Sequence, residues 1–269
     1  MRHLGILHFG NTFPSIKKDR IRILFLTLLF PLLLVAQKKV THQQLLWFAY
    51  HNTIRFNENW ALLSEVQERR FFNPGAQHQL VFRSNIQRKL IENWNASVGM
   101  TYFLQSPQDP ESESNLIVPE LRPDIGFDNK QKLAFMTISH RYKMEARFMH
   151  DFANDELTGG YRFSSFRFRY QLGLDIPLWR QQDTREERLT LRLKDEIMLN
   201  SGSKIVKNTF DQNRMYAGLN YRINPDFAVE AGYLNWYQQR ASGTDYYDRD
   251  IIRFSVFHTL SLKTKKHEK

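Results

Sequence analysis

The segment "HRYKMEARF" (residues 140–148) places a charge at every second position: Arg141, Lys143, Glu145 and Arg147. The same spacing recurs as Arg167 and Arg169 in "FRFRYQL", as Arg192, Lys194 and Glu196 in "RLTLRLKDEIML", and as Arg214 and Arg222 in "RMYAGLNYRI". Guanidinium and carboxylate groups spaced this way can brace one another as ion pairs, or can hold fixed cations toward a passing anion. Catalysis needs other arrangements. A serine activated by histidine requires both groups on one face, within hydrogen-bond reach. Ser139 and His140 are neighbours, which in an extended chain sends them to opposite faces, so Asn154 downstream completes no triad. The nine His follow no metal-binding spacing, and the chain has no Cys to serve as nucleophile, zinc ligand or disulfide. No catalytic, cofactor or metal site is predicted, and the charged positions are the candidate functional residues.

Alternation requires strands, because successive strand side chains point to opposite faces. In "WNASVGMTYFLQ", Trp94, Ala96, Val98, Met100, Tyr102 and Leu104 oppose Asn95, Ser97, Gly99 and Thr101. In "RLTLRLKDEIML", Leu189, Leu191, Leu193 and Ile197 oppose the charged set. Strands are predicted near 45–56, 60–69, 78–90, 93–105, 117–128, 132–149, 161–176, 187–199, 210–223, 227–240 and 249–262. Many exceed the usual soluble length of about 5 or 6 residues and match the roughly 10 that a tilted membrane strand needs. Tight connections ("NEN", "IEN", "DNKQ", "NPD") alternate with longer polar ones ("FFNPGAQ", "SPQDPESES", "DFANDELTGG", "SGSKIVKNTFDQ", "QRASGTDYYDR"), as in outer-membrane barrels. Only "PLWRQQDTREE" is long where a short turn is due. Bacterial single-chain barrels have even strand numbers, so the eleven segments predict twelve strands, with "KKVTHQQ" closing the sheet, or else ten.

Export is predicted from the first 37 residues, in which a basic "IKKDRIR" precedes the apolar run Ile23 to Ala36, of signal-peptide size. The predicted division is 1–37 signal peptide and 38–269 barrel domain. The leader holds five Lys or Arg and one acid, so the whole chain's +10 falls to +6 without it. A balance of that size on an exported protein does not point to nucleic acid. The 21 Phe, 11 Tyr and 5 Trp beside 25% charged residues suit a protein greasy on one face and charged on the other. Trp47, Phe48, Tyr50, Phe56, Trp60, Trp94, Tyr102, Phe103, Trp236 and Tyr237 fall near strand ends and are predicted to form interfacial girdles. Lys or Arg facing lipid at mid-membrane costs roughly 2–4 kcal/mol each, so the charged stripe should point inward.

"HRYKMEARF", "FRFRYQL", "KDEIMLN", "FDQNRMYAGLNYRI" and "EAGYLNWYQQ" resemble segments of the bacterial outer-membrane family known as domain of unknown function 2490. The resemblance spans about residues 45–262. It implies a Gram-negative outer-membrane β-barrel behind a signal peptide, and it carries no activity. The expected protein is an all-β, antiparallel up-and-down transmembrane barrel with an arginine-rich lumen, a small channel or structural component and not an enzyme. Its expected partners are outer-membrane lipids, the barrel-assembly machinery and a small anionic solute. A lipid-modifying outer-membrane enzyme and a soluble periplasmic ligand-binding barrel are the alternatives.

Overall fold

The computed structural model describes residues 38–184 and 186–262; the predicted signal peptide, residues 1–37, lies outside the described residues. Eleven strands run through the described residues: β1 (Lys39–Arg55), β2 (Trp60–Phe71), β3 (Gln77–Ile91), β4 (Trp94–Gln105), β5 (Val118–Lys132), β6 (Thr137–Ala153), β7 (Glu156–Arg180), β8 (Glu187–Ser201), β9 (Phe210–Arg222), β10 (Phe227–Gln239) and β11 (Asp245–Ser261). Each pairs with its sequence neighbours, and β1 pairs with β11 to close the barrel. No described helix is long and apolar enough to cross a membrane.

The strand count corrects the expectation of twelve or ten. The segment "KKVTHQQ" forms no separate strand, because Lys39–Gln44 continue directly into β1. With an odd number of alternating strands, the first and last run the same way, and β1 meets β11 in parallel from Lys39↔Asp245 to Arg55↔Ser261. Every other pairing is antiparallel.

Local chemistry sets the turns. Between β1 and β2, the Asn57 side-chain oxygen accepts from the amides of Asn59 and Trp60 at 2.9 and 3.0 Å. Asn224 repeats this before β10, accepting from Asp226 and Phe227 at 2.9 and 2.8 Å. Both are turns in which an Asn side chain substitutes for a backbone acceptor. The expected long "DFANDELTGG" loop is instead a two-residue hairpin, with Asn154 and Asp155 at φ 51° and 61°. Asn and Asp tolerate the left-handed conformation that such a turn requires, so β6 and β7 extend to meet there.

The rim bearing residues 56–59, 92–93, 133–136, 181–186 and 223–226 is called the turn rim, and the opposite one the loop rim. A 12-residue strand such as β2 or β4, rising about 3.3 Å per residue at roughly 45° tilt, crosses about 28 Å, enough for an apolar band about 25 Å tall. The outer face carries such a band: Phe48, Val66, Phe82, Ile125, Phe168, Leu219 and Phe254 are all exposed. Polar groups interrupt it on β8 to β11 but satisfy one another, Asn213 donating to Asp195 at 2.6 Å and Asn235 to Asp248 at 2.8 Å.

The aromatic assignments need correction at three positions. Trp47 and Trp236 are 2% exposed and Phe103 is 4% exposed. They point inward, where the two indoles meet edge to face at 5.8 Å within a cluster with Leu45, Phe71, Leu234 and Ile251. Phe48, Tyr50, Phe56 and Trp60 do lie on the outside.

Candidate functional site

Inward positions of β5 to β8 build one wall of the interior from ion pairs. Glu120, fully buried, takes Arg122 Nε at 2.7 Å and Arg147 Nε at 2.6 Å. Glu145, 1% exposed, takes Arg169 at 2.5 Å. Arg169 also reaches Glu196 at 2.8 Å, and Arg141 reaches the same carboxylate at 2.8 Å. Lys143 pairs with Asp124 at 2.7 Å, and Arg167 with Asp211 at 3.0 Å. These charges compensate one another, Arg167 reaching across to Asp211 of β9, and apart from the partly exposed Arg141 they are largely desolvated, the condition under which buried ions are tolerated. Cross-strand register makes the wall possible, because Glu145 lies opposite both Asp124 and Arg167.

Across the barrel, β9 to β11 with β1 and β2 hold their arginines by aromatic rings and amides. Arg69 lies 4.0 Å over Trp47 and is fixed by Gln67 Oε1 (2.9 Å from Nε) and Gln79 Oε1 (2.7 Å from Nη1). Glu65 accepts from the Gln67 amide, so Glu65, Gln67 and Arg69 form a chain along the inner face of β2. Arg214 sits 4.5 Å from the Trp236 ring and 5.4 Å from Trp47. Arg249, fully buried, stacks on Tyr247 (4.1 Å) and Trp236 (4.3 Å) and donates to the side chains of Gln43, Gln238 and Gln108. Through Gln108 it tethers the loop between β4 and β5, which His78 and Gln43 also hold. Arg253 lies 5.5 Å over Tyr216 and bonds Ser255 and His51. Among the described residues, no carboxylate lies within ion-pairing distance of Arg69, Arg214, Arg249, Arg253 or Lys194.

Glycines shape this second wall at one point. Gly218 and Gly232 face each other across β9 and β10, and a Cβ at Gly218 would fall 2.2 Å from the Tyr216 hydroxyl. The bare backbone lets the phenol lie along the wall and donate to Glu230 at 2.7 Å. Glu230 in turn takes Arg192 at 2.8 Å.

Three cavities follow one another along the axis. One of about 440 Å³ lies toward the loop rim and is lined by Arg69, Arg122, Arg147, Arg167 and Arg214 with Asp211 as its acid. A central one of about 260 Å³ shares Arg69 and Arg214 with the first. Another of about 440 Å³ opens at the turn rim and shares Arg141, Gln171 and Lys194 with the central one.

Ten of the eleven predicted charged positions meet inside the barrel: Arg141, Lys143, Glu145, Arg147, Arg167, Arg169, Glu196 on the paired wall, Arg192 on Glu230, Lys194 5.4 Å over Tyr216, and Arg214 at the indoles. Arg222 is exposed and lines the third cavity at the turn rim. Ser139 and His140 share no hydrogen bond; His140 instead meets the Tyr170 hydroxyl at 2.9 Å. Sequence reasoning missed the acids Glu65, Glu120, Asp124, Asp211 and Glu230 and the cations Arg69, Arg83, Arg122, Arg249 and Arg253, although the same alternation runs through "EVQERR" and "DRDIIRF".

Apolar outside, charged inside and closed on itself, the chain is a closed β-barrel. The family model described as "Protein of unknown function (DUF2490)" matches residues 44–247, and the chain belongs to that family. A solved structure of the NanC porin in a rhombohedral crystal form is similar at 12% identity and a TM-score of 0.46, over 77% of this chain and 90% of that one. No curated protein matches.

Proposed function

We propose that the protein is an integral outer-membrane barrel that passes small anionic solutes, exported by a leader within residues 1–37. The observation that carries this reading is the axial series of cavities, whose walls hold arginines without carboxylate partners. Fixed cations along a narrow, low-dielectric passage concentrate anions and oppose cations. The apolar outer band supports contact with membrane lipid, and barrel insertion requires the assembly machinery. The role is transport without catalysis.

Reconstitution into planar bilayers tests it. Folded protein is expected to give discrete conductance steps, with a reversal potential in a potassium chloride gradient displaced toward that of chloride. Absence of steps would remove the channel role. The ion-paired wall favours a second reading in that event, a barrel whose interior serves only to brace it.

A further inference from the structure

We infer that the junction between the loop-side and central cavities is a binding site for small organic carboxylates. The inference rests on the channel reading and names its solute. Arg69 and Arg214 line both cavities and so flank the passage between them. Arg214 donates no hydrogen bond to any described residue, and its buried Nε has no acceptor. The indole Nε1 groups of Trp47 and Trp236, on side chains 2% exposed, are likewise without acceptors. Arg69 satisfies part of its donor set with Gln67 and Gln79 and makes no direct ion pair with a described carboxylate.

Acceptors of Asn200, Asp211 and Gln212 without hydrogen bonds also line the loop-side cavity, but at the junction itself the unmet groups of Arg214, Trp47 and Trp236 are donors, so a ligand seated there must bring acceptors and negative charge. Nearby carboxylates are committed elsewhere: Glu196 to Arg141 and Arg169, Asp211 to Arg167, Glu65 to Arg83. On the paired wall, by contrast, unsatisfied atoms include acceptors such as Glu145 Oε2 and Asp124 Oδ2 as well as donors.

Geometry narrows the class. Indole rings lie against both guanidinium groups; Arg69 commits Nε, Nη1 and Nη2 to Gln67 and Gln79, so the N–H edge left for contact is that of Arg214. An edge-on guanidinium fork matches a planar carboxylate better than a halide. The indoles of Trp47 and Trp236 set apolar surface beside these cations, which suits an anion with an apolar body over phosphate or sulfate.

Titration of the detergent-refolded full barrel with benzoate, followed by tryptophan fluorescence, tests this without measuring current. Benzoate is expected to bind saturably, and benzyl alcohol at matched concentration not to. Arg214→Gln should weaken benzoate at least tenfold, Arg214→Lys should do so in part by losing the fork, and Trp236→Phe should weaken it several-fold. Arg88→Gln on the outer face should leave it unchanged. If Arg214→Gln fails to fold, the Lys and Phe variants decide alone. No saturable binding, equal binding by the folded variants, or displacement by chloride as effective as by acetate would overturn the site. Conductance without benzoate binding would sink the site and leave the channel; binding without conductance would do the reverse.

Discussion

Two walls of one interior solve the same problem differently. On β5 to β8, arginine is held by carboxylate: Glu120 serves Arg122 and Arg147, and Glu196 serves Arg141 and Arg169. On β9 to β11 and β1 to β2, arginine is held by π-faces and neutral amides, with its charge left over. Carboxylate pairing quenches the field of a cation, whereas stacking fixes its position and leaves the field intact. The first arrangement suits bracing and the second suits attraction. Arginine content alone does not separate them.

Removing one member of the braced wall should give the largest effect. Glu120→Gln strands two buried guanidinium groups and is expected to cost about 3–5 kcal/mol of folding stability, read by urea unfolding of the barrel in lipid vesicles. A midpoint within error of the parent would show the wall is not bracing. Reversing inside and outside comes next. Leu219→Arg, on the exposed face, is expected to cost about 2–4 kcal/mol in bilayers and much less in a zwitterionic detergent, so the two media should disagree. Gly218→Val drives a side chain into Tyr216 and should cost roughly 1–3 kcal/mol by overpacking, with loss of the Tyr216 to Glu230 bond visible in a crystal structure. Smallest in stability is Arg214→Gln. It loses cation–π contact and a buried cation that makes no direct ion pair, although Glu196 faces it across β8 and β9, so the change should stay within about 1 kcal/mol, while anion selectivity in bilayers should fall. A large stability loss there would erase the distinction between the walls.

All eleven strands were readable from period-two alternation, and the tight turns at 57–59 and 224–226 from the few residues between strands, while their Asn side-chain acceptors emerge only in the structure. Closure was not. Parity depends on a pairing between residues 206 apart, such as Lys39 and Asp245, about which local pattern says nothing. The inward indoles were missed for a related reason. In "LLWFAY", Leu45, Trp47 and Ala49 are as apolar as Leu46, Phe48 and Tyr50, so alternation defines two faces without saying which is inside. Where one face carries charge, as at Arg141 to Arg147, the phase is fixed by the cost of exposing it to lipid. Other charged residues of the interior were overlooked where the charged stripe was shorter, as in "EVQERR".

The parallel seam between β1 and β11 also restricts how such a barrel can change over generations. Copying or deleting a hairpin alters the strand number by two, so an odd barrel stays odd and keeps one same-direction pairing. Crossing to an even barrel requires a lone strand to be gained or lost, which moves one end of the sheet from one rim to the other. Width can therefore drift by ordinary duplication, whereas the placement of the ends changes only in a single step at the seam.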